Sequence, residues 1–340
     1  MIKKKPGYTV AILGATGAVG QETLEILEER KFPLASLRLF ASKRSAGEVM
    51  TCQDKEWTVE ELAESSSFEG VDLAFISATD AISKEYGQRL GAAGIVVIDD
   101  SAVFRMDDQV PLVVPEVNAA ALGVMPRGIV AIPNCTTTPL VMALKPLHDV
   151  VGVKRVVVTT FQSVSGTGSA AMDELMEQTK DLLAFRDIKT EIYPYQIAFN
   201  LLPHIGSFTD GGDCSEEVKI AKETRKILNA PGLRVTATTV RVPVLRCHSE
   251  AINVELERPL TANEARAALA AMPGVIVYDD PVKKLYPMPL DATGKDEVYI
   301  GRVREDESIT NGLNLWVVSD NLRKGAALNA IQIAEHLVNG

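Results

Sequence analysis

Tyr8-Thr9-Val10-Ala11-Ile12-Leu13-Gly14-Ala15-Thr16-Gly17-Ala18-Val19-Gly20 runs from an apolar strand through a glycine turn into a helix. The first six residues read as a buried strand. The glycines that follow recur at spacing three. They permit a tight turn and let the backbone approach a pyrophosphate, which would rest on the open amides of the helix start. The spacing departs from the commoner G-x-G-x-x-G, so the order strand, glycine turn, helix carries the reading rather than the glycines alone. Outward from this stretch, residues 18–30 form an amphipathic helix and Leu37–Ala41 a second strand. Val71–Ile76 is a third strand, 80–93 a helix and Ile95–Ile98 a fourth strand. Strands and helices alternating at this spacing imply right-handed crossovers and a parallel, doubly wound sheet.

The second half has a different grain. Long β-rich runs occupy 153–162, 233–244, 246–257, 298–304 and 313–319, and helices interrupt them at about 169–184, 214–229 and 261–271. That pattern predicts a mostly antiparallel sheet with helices on one face. The chain is thus α/β: a Rossmann-type sheet over 1–135, completed by a last helix at 322–340, and an α+β domain over 136–321. The 340 residues suit two domains. Hydrophobic residues make up 46% and charged residues 24%, the balance of a globular enzyme. No apolar run is long enough to span a bilayer, and the basic N-terminus leads straight into a strand without a signal-peptide core. Four cysteines far apart, without metal spacing, read as cytoplasmic and reduced, with no metal site. A net charge of −10 disfavours nucleic acid and acidic membranes as partners. An anionic small-molecule substrate must therefore meet locally placed Arg and Lys.

Where the second strand ends, a site for unphosphorylated ribose would place Asp or Glu. Ser42-Lys43-Arg44-Ser45-Ala46-Gly47 stands there instead, with two cations and two hydroxyls. That is chemistry for a 2′-phosphate, so NADP(H) is predicted over NAD(H); the bland alternative is a solvated basic turn. Cys135 lies in Ile132-Pro133-Asn134-Cys135-Thr136-Thr137-Thr138-Pro139, between a short strand run (128–132) and a helical stretch. The helix dipole and open amides favour its thiolate. A thiol nucleophile in a dinucleotide-binding chain points to acyl-enzyme redox chemistry. The thiol needs an acid/base partner. His148 and His336 read as helix-surface or packing residues, and His204 is ambiguous. His248 follows Arg241 and Arg246 in the β-run 246–257; side chains alternate along a strand, so Arg246 and His248 share a face and Cys247 points away as a buried structural thiol. Arg105 follows a strand end. Gln162 ends a β-run before the turn Ser163-Val164-Ser165-Gly166-Thr167-Gly168. Glu216 and Lys219 share a helix face, which by itself is often only a surface ion pair.

These residues together resemble the aspartate-β-semialdehyde dehydrogenase family over the whole chain. The resemblance is carried by Gly14–Gly20, Ala41–Gly47, Pro133-Asn134-Cys135-Thr136-Thr137, Gln162 with Ser165-Gly166-Thr167-Gly168, Glu216-x-x-Lys219, Arg241-Val242-Pro243 with His248, and Ser319-Asp320-Asn321-Leu322-Arg323-Lys324-Gly325-Ala326-Ala327. It implies NADPH-dependent reduction of aspartyl-β-phosphate through a Cys135 thioester, with His248 as acid/base and Gln162 orienting thiol and acyl group. Arg241 would pair with the substrate α-carboxylate and Glu216 with its ammonium, while Arg105, Lys219 and Asn134 hold phosphate. Cofactor contacts would come from Gly14, Thr16, Gly17, Ala18, Val19, Ser42, Arg44, Ser45, Ser77, Ser165, Gly166 and Asn321. The family further implies a homodimer or tetramer joined through the second domain's sheet, and a product feeding lysine (through diaminopimelate), methionine, threonine and isoleucine synthesis. N-acetyl-γ-glutamyl-phosphate reductase shares the expected fold and thiol chemistry and is the alternative, although it usually has an aromatic after its cysteine where this chain has Thr136. A non-catalytic NADPH-binding relative is disfavoured, since Cys135, Gln162, Arg241 and His248 are all present.

Overall fold

The computed structural model describes residues 2–339. The chain forms two compact units, one of residues up to Asn134 together with Ala326 onward, the other of Cys135–Gly325.

The first unit runs β1 (Tyr8–Leu13), α1 (Ala18–Glu29), β2 (Leu34–Ala41), β3 (Val49–Cys52), β4 (Lys55–Glu61), β5 (Leu73–Ile76), α2 (Asp80–Ala92), β6 (Val96–Asp99), the short α3 (Pro115–Asn118) and β7 (Ile129–Ala131). The sheet order is β3-β4-β2-β1-β5-β6-β7. All pairings are parallel except the β3–β4 hairpin. Both faces of β1 are buried: Val10 and Ile12 pack into the main apolar cluster, and Ala11 and Leu13 are as fully enclosed on the other side. A parallel sheet covered on both faces needs such continuous apolar runs. Because β1 lies between β2 and β5, the chain leaves it first one way and later returns on the other side. Its C-terminal end is therefore the switch point, where ligands of such sheets sit. The β3–β4 hairpin was not foreseen. Its two-residue turn is Gln53-Asp54, both at positive φ (52° and 57°), without the Asn-Gly signature of such turns.

The second unit contains α4 (Thr137–Val151), β8 (Val153–Gln162), α5 (Ser169–Leu183), α6 (Ser215–Ile227), β9 (Arg234–Arg241), β10 (His248–Leu256), α7 (Ala262–Ala270), β11 (Val275–Val277), α8 (Pro289–Ala292), β12 (Val298–Asp306) and β13 (Gly312–Ser319). Its sheet has the order β11-β12-β13-β10-β8-β9. The three inner pairings are antiparallel and the two outer ones parallel. Side chains alternate across the sheet. On one face Gln162, Thr160, Val158 and Val156 are buried along β8, and His248, Glu250, Ile252 and Val254 along β10. Helix α4 packs against β8, β10, β12 and β13.

After β13 the expected single helix from 322 onward is broken. Arg323–Ala327 form a π-helical turn, and only then does α9 (Leu328–Asn339) begin. The Asp320 carboxylate accepts the backbone N–H groups of Leu322 and Arg323 at 3.0 and 3.4 Å and so fixes the turn. Helix α9 rejoins the first unit. Asn329 Nδ2 donates to the Val113 carbonyl at 2.8 Å, and Arg30 grips Glu335 with two bonds of 2.8 and 2.7 Å. Among the described residues no helix is long and apolar enough to cross a membrane.

Candidate active site

The first unit supplies a cradle for a dinucleotide. Gly14 has φ +91°, and a Cβ there would stand 2.2 Å from the Ser77 carbonyl oxygen; one at Gly20 would stand 2.3 Å from the Gly14 carbonyl. Only glycine fits either place. Ser77, just past β5, is tied to β1 by its N–H on the Leu13 carbonyl at 3.0 Å. Helix α1 starts after Gly17 with no side-chain cap and no acid in its first turn. The amides around Thr16, Gly17, Ala18 and Val19 thus face a site suited to an anion. At the end of β2, Ser42, Lys43 and Arg44 are exposed, and Ser45, buried at 7%, closes the turn through its N–H on the Ser42 carbonyl at 2.9 Å. Among the described residues neither cation is paired with a carboxylate. Elsewhere in this unit, Arg105 is 6% exposed and donates to the Asp100 carbonyl at 2.8 Å, and Asn134 is 7% exposed.

The second unit holds the thiol and its polar surroundings. None of the four cysteines is in a disulfide, and Cys135 alone is not buried. It precedes the first residue of α4 by two positions. Burial, then Glu28, pushes the Cys52 thiol up to about 11; burial, then Asp320, pushes Cys247 up to about 12. Neither can serve as a neutral-pH nucleophile. Cys247 is structural, as foreseen, but for a different reason. It is not part of the strand: its φ is +74°, β10 starts at His248, and Arg246 turns aside to an ion pair with buried Asp320 at 2.6 Å.

His248 is 1% exposed. The Ser163 N–H donates to its Nδ1 at 3.0 Å, so the proton of the neutral ring belongs on Nε2. Burial, then the charge of Arg241, holds the imidazole well below its ordinary 6.5, hence neutral. Its Nε2 has no hydrogen-bond partner among the described residues. A Cβ on Gly166 would stand 3.2 Å from this Nε2 and 3.1 Å from Arg241 Nη1. Gly166 therefore opens a niche lined by an imidazole N–H and a guanidinium. Arg241, 5% exposed, donates to the Ser163 carbonyl at 2.6 Å and has no carboxylate partner among the described residues. Gln162 Nε2 donates to Glu216 Oε1 at 3.1 Å, and Glu216 Oε2 lies 3.4 Å from Lys219 Nζ. Glu216 is 6% exposed, so this ion pair is no solvated surface pair. Asn321 Oδ1 accepts from Ser163 Oγ, Ser165 Oγ and the Cys247 N–H at 3.2, 3.0 and 3.0 Å, which turns its unpartnered Nδ2 the other way. The other histidines are accounted for: His148 Nδ1 accepts the Val153 N–H, His204 stacks on Phe208, and His336 is exposed.

Three participants were not singled out from sequence. Ser163 fixes the His248 tautomer. Thr160 donates to Gln162 Oε1 at 2.9 Å. Gly325 abuts the nucleophile, since a Cβ there would stand 3.0 Å from Cys135 Cβ. Thr160 was legible in principle, two residues before Gln162 on the same strand face. Gly325 meets Cys135 across 190 residues, and no local pattern announces it.

The chain matches the family model for the NAD binding domain of semialdehyde dehydrogenase over residues 9–124, and that for its dimerisation domain over residues 144–324. It is 50% identical to the aspartate-semialdehyde dehydrogenase of Aquifex aeolicus over 334 residues, which is 98% of each chain. Its fold matches aspartate semialdehyde dehydrogenase II of Vibrio cholerae, solved in complex with ASA, at TM-score 0.96 and 45% identity over 98% of this chain and 99% of that one. The enzyme of Candida albicans, solved with NADP, matches at TM-score 0.75 and 27% identity over 97% and 98%. Likeness of this degree over both units, with the thiol, imidazole and guanidinium in the settings described, means that the chain belongs to the aspartate-semialdehyde dehydrogenase family.

Proposed function

We propose that this chain reduces L-aspartyl-4-phosphate to L-aspartate 4-semialdehyde and phosphate with NADPH. The niche beside Gly166 carries the proposal. A buried guanidinium without an internal carboxylate is costly unless an anionic ligand completes it. Arg241 can offer an α-carboxylate two parallel hydrogen bonds. Glu216, buried and acidic, suits the α-ammonium. Cys135 Sγ attacks the acyl carbon, the bond to phosphate breaks, and a thioester remains. His248 Nε2–H donates to the oxygen of the tetrahedral adducts, and Gln162 orients thiol and acyl group. Lys219 suits the phosphate.

NADP fits the first unit's cradle through Gly14, Thr16, Gly17, Ala18, Val19 and Ser77, its 2′-phosphate meeting Ser42, Arg44 and Ser45. When bound, it supplies the hydride that reduces the thioester. The residues up to 135, with 322–340, would form the cofactor-binding domain, and 136–321 the catalytic and dimerising domain. Phosphate-dependent reduction of NADP⁺ by aspartate semialdehyde tests the proposal. Turnover of N-acetylglutamate semialdehyde in its place would overturn it, and tighter binding of NADH than of NADPH would overturn the cofactor assignment.

A further inference from the structure

Glu217 stands beside Glu216 at the start of α6 and is only partly buried. Its side chain nevertheless serves two elements. Oε2 accepts the N–H of Cys214, the residue that caps α6, at 2.8 Å. Oε1 accepts the Thr239 N–H of β9 at 2.9 Å. The first bond is half of a capping box and by itself would only steady the helix start. The second crosses to the sheet. β9 is the last strand of its sheet, and a strand in that place leaves N–H groups open on its outer side. Glu217 takes the N–H of Thr239 there, and the Leu202 carbonyl takes that of Arg241 at 2.8 Å. The Cys214 thiol adds to the join, 3.1 Å from Thr239 Oγ1.

Thr239 and Arg241 are two residues apart, so their side chains share one face of β9, and both are buried. One carboxylate thus holds the strand that ends in Arg241 and the helix start that carries Glu216. Those are the groups assigned above to the α-carboxylate and the α-ammonium. The two charges sit on one carbon of the substrate, so the groups that meet them must keep a set separation. Without the bond from α6 to β9, each could still meet its own charge, but not both together at full strength.

We propose that Glu217 is a specificity-determining positioning residue. It sets the spacing between Glu216 and Arg241, and so makes the site select an α-amino acid over the same aldehyde without the amino group. This rests on the roles given to Glu216 and Arg241 above.

Succinate semialdehyde, which is aspartate semialdehyde less its α-ammonium, is the probe. The full-length protein and its variants are compared by KM for aspartate semialdehyde and by Ki for succinate semialdehyde as its competitor. Neither constant moves when a less stable variant merely leaves fewer folded molecules. Glu216→Gln should weaken aspartate semialdehyde and spare succinate semialdehyde. Wild-type constants there would overturn the ammonium assignment, and the Glu217 proposal with it. Glu217→Ala should raise KM for aspartate semialdehyde about tenfold, roughly one charge-assisted hydrogen bond weakened, with Ki for succinate semialdehyde and KM for NADP⁺ within about twofold of wild type. Adding Cys214→Ser to Glu217→Ala supplies a better helix cap, and should restore Tm without restoring KM. With Glu216→Gln impaired as expected, three results would overturn the Glu217 proposal alone. They are a wild-type KM in Glu217→Ala, a loss shared equally by both aldehydes, and a KM that recovers along with Tm in the double variant.

Discussion

A thiol attacks as its thiolate, and the surroundings of four thiols in one chain decide which one does so. Cys52 and Cys247 are driven to about 11 and 12, Cys214 is buried, and Cys135 is partly open at the start of α4. Alkylation at neutral pH with less than one equivalent of iodoacetamide should therefore label Cys135 at least about tenfold faster than the others. Peptide mass spectrometry reads the result, and equal labelling of Cys247 would count against the assignment. Cys135→Ser should abolish turnover and leave NADPH binding, measured by fluorescence titration, as it was. Arg241→Lys should raise KM for aspartate semialdehyde roughly tenfold or more, because an ammonium cannot reproduce a two-pronged contact. His248 makes a pH prediction. Its folded value lies below the unfolded 6.5, owing to burial and then to Arg241. Protons thus bind the unfolded chain first, so stability present above pH 6.5 is lost as pH falls below it. Melting temperatures followed from pH 7 to 5 should fall less steeply in His248→Gln than in the wild type.

Between the residues and the whole stand the elements that aim them. The π-turn 323–327 brings Gly325 against Cys135, with 3.0 Å between the Cys135 Cβ and the place a Gly325 Cβ would take. Gly325→Ala must move either the turn or the nucleophile. A displacement of a few tenths of an ångström to one ångström at the attacking atom is expected to lower kcat roughly ten- to a hundredfold, with the Tm down by only a few degrees. A wild-type kcat would show that the turn yields without moving Cys135. Such contacts mark the limit of what the sequence discloses. The β1–glycine turn–α1 unit was legible because period, turn chemistry and helix start lie within thirteen residues, and the strands of the second sheet because their β-rich runs are long. The β3–β4 hairpin was hidden by a Gln-Asp turn, and the end of the strand before His248 by Cys247, a residue type that rarely takes φ +74°. The site shows the same division. Gln162, Glu216, Arg241 and His248 stood out as polar residues at element ends. Ser163, Thr160 and Gly325 owe their roles to partners that only the folded sheet and turn bring near.

At the scale of the molecule, one surface is left wanting a cover. The face of the second sheet turned away from α4 exposes Ala251, and Tyr286, Met288 and Leu290 beside it are 40, 42 and 89% exposed. Ala251, Tyr286 and Met288, with Pro287, Arg302 and Trp316, line a groove of about 400 Å³. Apolar surface gathered in this way marks an interface more often than chance exposure does. The match of this unit to a dimerisation-domain model points to a second copy of the chain as the occupant. A two-fold contact sets the same patch against itself, and stable pairs bury on the order of 1,200–2,000 Å². Sedimentation equilibrium at micromolar concentration should therefore give at least twice the 36.7 kDa of one chain. Ala251→Arg, a charge placed on the exposed side of β10, should shift the mass toward one chain while the circular dichroism stays that of the wild type. A wild-type mass for that variant would move the contact to another face, whereas a monomeric wild-type protein would leave this apolar groove without the partner proposed for it.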